Sequence, residues 1–417
     1  MGRSKRTCSW PRNPTEQRIF LSPCRVLIPG KLSLRSQFIK RICLIAGEAS
    51  GDLHGAALVN ALRESGQPVS FFGLGGPLLE SLGVEMVCPP PLNVVGFIEV
   101  VLRISHLVRA YQKVKQTLYR DKPDLIILID YPDMNLRLAR AAHEAKIPVL
   151  YYISPQVWAW RKKRVKTIAR YVDRLAVILP FEVEFYNRHG IRVDFVGHPL
   201  LDGLPFAGPG NEGREGASAS AEVLIGLFPG SRPAEVKAIL PTLLETAEGL
   251  SREYGSRVRF VLPVAGTLEA KPIREAIRPF QERGVRVELA TEDSQTTLSR
   301  CQQAIVASGT VTLEAALLGV PLQIVYKVST ANYWIARLLI DVPYVGLVNW
   351  VAGKKIIPEF LQKQARPEAI GQGVRRYLED PAYYEEVRQG LMEVGKKLGR
   401  PGASRRVAQM AWEMMGG

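Results

Sequence analysis

The chain has no pair of cysteines at metal-binding or redox spacing: Cys8, Cys24, Cys43, Cys88 and Cys301 are scattered and odd in number. This pattern excludes a disulfide framework and a zinc module and fits a reduced, cytosolic protein. No Asp-x-Asp pair occurs and the five His make no metal-spaced cluster, so no bound divalent ion is expected. Neither half of the chain places a full G-x-G-x-x-G or Walker pattern at a strand-to-helix turn, which speaks against hydride transfer and ATP hydrolysis. No run is long and apolar enough to span a membrane. The longest nearly uncharged stretch, Ala304–Tyr326, is broken by Glu314, Gly319 and Pro321. A zinc finger, an aromatic RNA-binding signature and a basic helix are also missing, so nucleic acid is not the expected partner.

Acidic residues are scarce at the beginning. Residues 1–41 hold ten Lys/Arg against Glu16 alone, which is +9 of the chain's net +15 and leaves +6 for the other 376 residues. The first 40 residues lack hydrophobic periodicity and read as a basic extension: transit-like, disordered, or upstream of the true start. They are not a secretory signal, having no sustained apolar core, and Arg6 stands where a myristoylation site wants Ser or Thr. The remaining +6 points to an anionic partner such as a nucleotide or phospholipid head groups.

What the chain does have is a repeated design of strand, Gly-rich turn and helix. In the first half, Ile42–Ala46 runs into Gly47-Glu48-Ala49-Ser50-Gly51-Asp52 and a helical pattern over Leu53–Leu62. The strands Val69–Leu74, Asp124–Ile129, Pro148–Ile153, Leu175–Ile178 and Val193–Val196 follow, with a helix over Leu136–Glu144. Leu92–Tyr111 carries too many apolar residues for a narrow stripe and reads as a core helix or as a lipid-facing patch. Residues 207–221 form a Gly/Ala/Ser linker. The pattern then restarts with Val223–Phe228, the turn Pro229–Arg232 and a helix over Pro233–Leu250. The strands Val258–Leu262, Val285–Leu289, Ala304–Ala307 and Leu322–Tyr326 complete it. The expected fold is α/β: two Rossmann-like, doubly wound domains facing a cleft, at 41–206 and 222–380, with C-terminal helices over 381–417.

Such sheets bind ligands at the carboxyl ends of their strands. That rule gathers Gly47, Glu48, Ser50, Gly51 and Asp130 in one half, and Gly230, Ser231, Arg232, Ser308, Gly309, Thr310 and Glu314 in the other. Ser308-Gly309-Thr310 opens a helix whose unpaired N–H groups and dipole suit a phosphate, with the hydroxyls as caps. Glu314 lies one turn along the same face and can accept from two ribose hydroxyls; a solvated glutamate behind an N-cap is the plainer account. Asp130, before Tyr131-Pro132, can take a proton from a hydroxyl nucleophile or can merely cap the turn. Arg232 can point into the cleft or lie on a helix start as an ordinary surface arginine. His54 and His198 are candidates for a base, though a single His is more often structural. Trp158 and Trp160 read as packing residues.

Taken in order, GEASGD (47–52), NVVGFIEV (93–100), IDYPDMN (129–135), YYISPQVWAWRKKRVK (151–166), LPFE (179–182), FVGHPLLD (195–202), FPGSRPAEV (228–236) and ASGTVTLEAALLGVPL (307–322) resemble the bacterial lipid-A-disaccharide synthase family. These are inverting glycosyltransferases of the GT-B type, family 19. The likeness runs from about residue 42 to the C-terminal helices. It implies transfer of 2,3-diacylglucosamine from its UDP ester to the 6-hydroxyl of 2,3-diacylglucosamine 1-phosphate, without metal or cofactor. It maps the family's essential aspartate onto Asp130 and its diphosphate-binding arginine onto Arg232. The ribose-contacting glutamate falls on Glu314 and the phosphate turn on Ser308, Gly309 and Thr310. It also implies work at the cytoplasmic face of the inner membrane, peripherally, with Leu92–Tyr111 and Arg161–Lys166 as contacts, and it leaves a homodimer with exchanged C-terminal segments open. A UDP-sugar 2-epimerase of the same architecture, needing no lipid acceptor, is the competing enzyme; a UDP-binding regulator without turnover is the non-catalytic alternative.

Overall fold

The computed structural model describes residues 39–88, 97–159, 163–203, 222–266, 268–327 and 343–416, with the backbone alone for 97–106. The extension before residue 39, the linker 207–221, residues 92–96, Trp160, Arg161 and Lys162 lie outside the described residues.

The first half alternates strands β1 (Lys40–Ala46), β2 (Val69–Leu74), β3 (Glu85–Met86), β4 (Leu125–Ile129), β5 (Val149–Tyr152), β6 (Arg174–Val177) and β7 (Asp194–Phe195) with helices. Those helices are α1 (Ala49–Glu64), α2 (Pro77–Ser81), α3 (Phe97–Asp121), α4 (Pro132–Glu144), α5 (Arg164–Tyr171), α6 (Pro180–Asn187) and α7 (Leu200–Gly203). Every strand pair is parallel, in the order β3-β2-β1-β4-β5-β6-β7. β4, LIILI, is wholly buried because helices cover both faces of a parallel sheet. Its period-two alternation sends Leu125, Ile127 and Ile129 to one core and Ile126 and Leu128 to the other.

The second half repeats the plan with β8 (Val223–Phe228), β9 (Val258–Pro263), β10 (Val287–Ala290), β11 (Gln303–Ala307), β12 (Leu322–Tyr326) and β13 (Glu359–Leu361). Their order is β10-β9-β8-β11-β12-β13, again parallel throughout. Helices α8 (Pro233–Tyr254), α9 (Ala270–Glu282), α10 (Ser294–Arg300), α11 (Val311–Leu318), α12 (Leu347–Ala352) and α13 (Pro367–Glu379) flank it. Two doubly wound Rossmann-like sheets are the architecture that the repeated strand–turn–helix pattern predicts.

Two helices begin earlier than hydrophobic periodicity indicates. α1 starts at Ala49 rather than Leu53, and α4 at Pro132 rather than Leu136. Their first turns, ASGD and PDMN, hold one large apolar residue between them, Met134, so no apolar stripe marks them; Pro132 instead presets the first helical φ.

Over Leu92–Tyr111 the structure gives the first part of α3. Its later residues Ala110, Val114 and Leu118 enter the core, whereas Leu107 and Val108 are exposed. At the end of the chain, α14 (Pro381–Lys397) packs on α11 and α12, and only α15 (Ala403–Met414) crosses back to α1. Asp202 receives α15: its carboxylate accepts from the N–H groups of Gly402, Ala403 and Ser404. Arg406 Nε donates to the Val196 carbonyl at 2.9 Å, and Arg174 pairs with Glu413 at 2.6 Å.

Candidate active site

In each sheet the strand order reverses direction once. The reversal falls between β1 and β4 in the first sheet and between β8 and β11 in the second. These are the switch points where diverging loops leave a crevice. The strand ends there are Ala46, Ile129, Phe228 and Ala307, so the loops that follow are those carrying Gly47–Asp52, Asp130, Gly230–Arg232 and Ser308–Glu314.

At the first switch point Gly47, Glu48 and Ser50 are exposed, while Gly51 and Asp52 are buried in the first turn of α1. Gly47 has to be glycine, because a Cβ would lie 2.3 Å from the Tyr131 ring. Gly51 packs on Ala46, 3.5 Å from where its Cβ would stand. Asp52 accepts from the backbone N–H groups of Gly76, Leu78 and Leu79 at 2.8–3.1 Å, capping α2. Its carboxylate is therefore committed to the fold, and Glu48 is the acid of this motif at the surface.

Asp130 is half-buried at the end of β4. It and Tyr131 both have φ of +45°, consecutive non-glycine residues in the left-handed region. Each such residue costs on the order of 1–3 kcal/mol, and such strain persists where surrounding structure over-determines it. The Asp130 N–H donates to the Tyr152 carbonyl at 3.1 Å. Its own carbonyl accepts from Asn135 Nδ2 at 2.7 Å and from the Tyr151 hydroxyl. Burial pushes the Asp130 carboxyl up to about 6, the nearby Glu48 carboxylate adds to the rise, and the Tyr131 N–H draws it partly back. A carboxyl poised just below neutrality suits a general base better than a turn cap.

At the second switch point Gly230 has φ of +109°, and a Cβ there would lie 2.6 Å from the Glu235 carboxylate. Arg232 is the N-cap residue of α8. Its side chain is 73% exposed and pairs with Glu235 at 3.2 Å. The turn at Ser308–Thr310 differs from expectation in one respect. Ser308 Oγ donates to the Val345 carbonyl at 3.1 Å, and Thr310 makes no capping bond. Thr310 already has helical φ and ψ of −58° and −31°, whereas side-chain capping needs the extended conformation. The N–H groups of Gly309, Thr310 and Val311 consequently take no acceptor among the described residues, and nothing lies within 4 Å of a Cβ on Gly309. That leaves the tip of α11 more open to an anion than a hydroxyl-capped tip. Gly319, left-handed at φ +64°, ends the helix as its position indicates.

Glu314 is 8% exposed and sits near Ser294 Oγ and Gln295 Nε2, both at 3.5 Å. Burial pushes its carboxyl up, against those two donors. Beyond these residues the structure adds several that sequence reasoning missed. Glu182, the last residue of LPFE, is 1% exposed and accepts from the Leu179 N–H at 3.1 Å and the Trp158 indole at 3.3 Å. Burial pushes it up to about 8, with Asp130 contributing. Trp158 meets Trp350 of the second half at a tilt, ring centroids 4.7 Å apart, with Phe181 against both, so an aromatic cluster joins the halves. LPFE stands among the motifs above, yet nothing in four residues says that the glutamate turns inward. His54 and His198 are pushed down by burial, to about 4 and about 3, and are neutral. The backbone N–H of His198 donates to the Leu398 carbonyl at 2.9 Å and its Nδ1 accepts from the Leu200 N–H at 3.2 Å, a structural role at the seam with α14 and α15.

A family model described as lipid-A-disaccharide synthetase matches residues 42–413. The chain is 45% identical over 382 residues to the lipid-A-disaccharide synthase of Geobacter sulfurreducens, covering 90% of this chain and 97% of that protein. It is 40% identical to that of Myxococcus xanthus over 378 residues, covering 90% and 97%. The chain belongs to the lipid-A-disaccharide synthase family. Membership makes it a glycosyltransferase and implies a UDP-sugar donor and a sugar-phosphate acceptor. Among solved structures, MurG of Acinetobacter baumannii aligns with a TM-score of 0.57 at 15% identity over 90% of this chain and 99% of that one. The S. aureus MnaA–UDP co-structure aligns at 0.59 and 14%, covering 90% and 96%. At such identities the likeness shows the fold, which in this synthase-family member is GT-B. Among the described residues no helix is long and apolar enough to cross a membrane.

Proposed function

We propose that this chain condenses UDP-2,3-diacylglucosamine with 2,3-diacylglucosamine 1-phosphate, forming the β-1,6-linked disaccharide 1-phosphate of lipid A biosynthesis and releasing UDP. The observation that carries this reading is the match to one synthase family from residue 42 to 413. Supporting it, four motifs of that family stand on the strand ends of the two switch points. Asp130 takes the proton of the acceptor's 6-hydroxyl as that oxygen attacks the anomeric carbon. The bond from the anomeric carbon to the UDP oxygen breaks on the opposite face, through an oxocarbenium-like state. Arg232, Gly230, Ser231 and the open N–H groups at Gly309 and Thr310 receive the diphosphate, with Ser308 fixing the turn. Glu314 takes the ribose hydroxyls. Gly47, Glu48 and Ser50 line the acceptor side, and Gly51, buried against Ala46, lets α1 start close behind them.

We further read the carboxyl edge of the first sheet as the side that meets the cytoplasmic face of the inner membrane. Leu53 and Leu78, near the starts of α1 and α2, are 57% and 45% exposed, and Leu107 and Val108 of α3 are also exposed. Exposed large apolar residues are the kind that an interaction surface uses.

The deciding assay is UDP release from UDP-2,3-diacylglucosamine in mixed micelles, with and without the diacylglucosamine 1-phosphate acceptor. Release that requires acceptor, with a disaccharide formed, is the expected result. Donor consumed without acceptor would give way to the epimerase reading, and UDP bound with no turnover to the regulator. Because Asp130 must be ionised to act as a base, kcat/KM should fall as pH drops through about 6. An activity flat from pH 5 to pH 8 would remove Asp130 from that step.

A further inference from the structure

The turn that aims Asp130 is held by two side chains to which the reaction gives no other task. Asn135 lies on the first turn of α4 and is fully buried. Its Nδ2 donates to two successive carbonyls, that of Ile129 at 3.1 Å and that of Asp130 at 2.7 Å. Tyr151 comes from β5, the neighbouring strand, and its hydroxyl donates to the same Asp130 carbonyl. Burial raises the Tyr151 phenol well above its ordinary value, so it remains a donor across the working pH range.

Asn135 Oδ1, by contrast, is buried without a hydrogen-bond partner among the described residues. The amide nitrogen of Asn135 is committed to the carbonyls that flank the turn. What those donors hold is the pair of left-handed residues Asp130 and Tyr131. Without them the pair can relax towards negative φ, which turns the Cα–Cβ bond of Asp130 away from its present direction.

We propose that Asn135 and Tyr151 are positioning residues for glycosyl transfer, clamping the Asp130 carbonyl so that its carboxylate faces the crevice between β1 and β4. This rests on the reading of Asp130 as the base. Neither residue touches substrate in this scheme; both act through Asp130, and a misplacement of about 1 Å at a catalytic group can cost roughly 10²-fold.

The test uses the full chain with Tyr151→Phe, Asn135→Leu and, as a stability control, Leu138→Ala. Leu138 lies on α4, is fully buried and belongs to the core rather than the crevice. Tyr151→Phe is expected to lower kcat roughly tenfold and Asn135→Leu roughly a hundredfold, with KM for the UDP-sugar unchanged. Leu138→Ala is expected to lower Tm while leaving kcat at the wild-type value. In an Asp130→Asn background, neither positioning substitution should reduce the residual turnover further.

Wild-type kcat in both variants, with Asp130→Asn inactive, overturns the positioning role and leaves Asp130 as the base. Wild-type kcat in Asp130→Asn itself overturns the base reading and this proposal with it. An equal loss in both backgrounds shows that the pair acts independently of Asp130, which also overturns it. Should Asn135→Leu fail to fold, Tyr151→Phe, which removes one oxygen, carries the same test.

Discussion

Replacing Asp130 with Asn is expected to lower kcat by roughly 10²–10⁴, the usual contribution of a positioned acid or base, while UDP binds as before. The amide keeps the shape of the side chain and cannot take the acceptor's proton. UDP affinity should hold because the groups assigned to the nucleotide lie at the β8–β11 switch point, on the other sheet. The same substitution should stabilise the fold. Burial raises the Asp130 carboxyl to about 6 in the folded state, above the usual aspartate value of 3.8. Protonation therefore favours folding, an effect complete below about pH 4 and lost as pH rises through about 6. At pH 8 the wild type bears a buried charge that Asn lacks, so Asp130→Asn should melt higher at pH 8, with the difference closing near pH 4. Kinetics and melting curves on one preparation read both effects. Wild-type turnover across pH would remove Asp130 as the base, and a lower Tm at pH 8 would mean that its carboxylate is stabilised by partners rather than strained by burial.

Arg232→Ala should lower turnover by roughly 10²–10³ with little change in Tm. The kinetic figure is that of a preorganised donor facing charge that develops in the transition state. The departing UDP gains negative charge on its diphosphate, and Arg232 stands at the start of α8 near Gly230, whose positive φ and close approach to Glu235 shape the turn. Stability should barely respond, because the side chain is 73% exposed and its pair with Glu235 is a surface one, worth about 0–1 kcal/mol. Arg232→Lys keeps the charge and loses the planar fork, so it should recover only part of the rate. Near-normal turnover in Arg232→Ala would exclude this residue from the diphosphate site.

Most of the fold was legible because its signals are local. LIILI at 125–129 and VLIGLF at 223–228 are short apolar runs bounded by turns, and each is a fully buried central strand. Gly319 and Pro321 mark the end of α11 within a few residues of one another. The short strands β3 and β13 were not legible in the sequence. The carboxyl-edge rule named loops that the structure sets at the two switch points, but sequence reasoning misjudged what the Ser308 and Thr310 hydroxyls do. Ser308 finds its acceptor at Val345, 37 residues away.

By itself, then, the sequence determined the α/β class, the two-sheet design, the family, and which loops carry polar and glycine residues at strand ends. Periodicity, turn chemistry and motif order act over a few residues, so they survive in a one-dimensional text. Only the tertiary structure decided that β1 and β4, and β8 and β11, diverge beside one another and so bring those loops to a switch point in each sheet. It alone decided that Tyr151 and Asn135 brace Asp130, that Glu182 turns inward on Trp158, that Trp350 joins the halves, and that α15 returns to Asp202. Each of these depends on burial and on hydrogen bonds between residues brought together by the crossovers. The rise of the Asp130 carboxyl to about 6 is a property of that assembled surrounding, not of the residue or its neighbours in sequence.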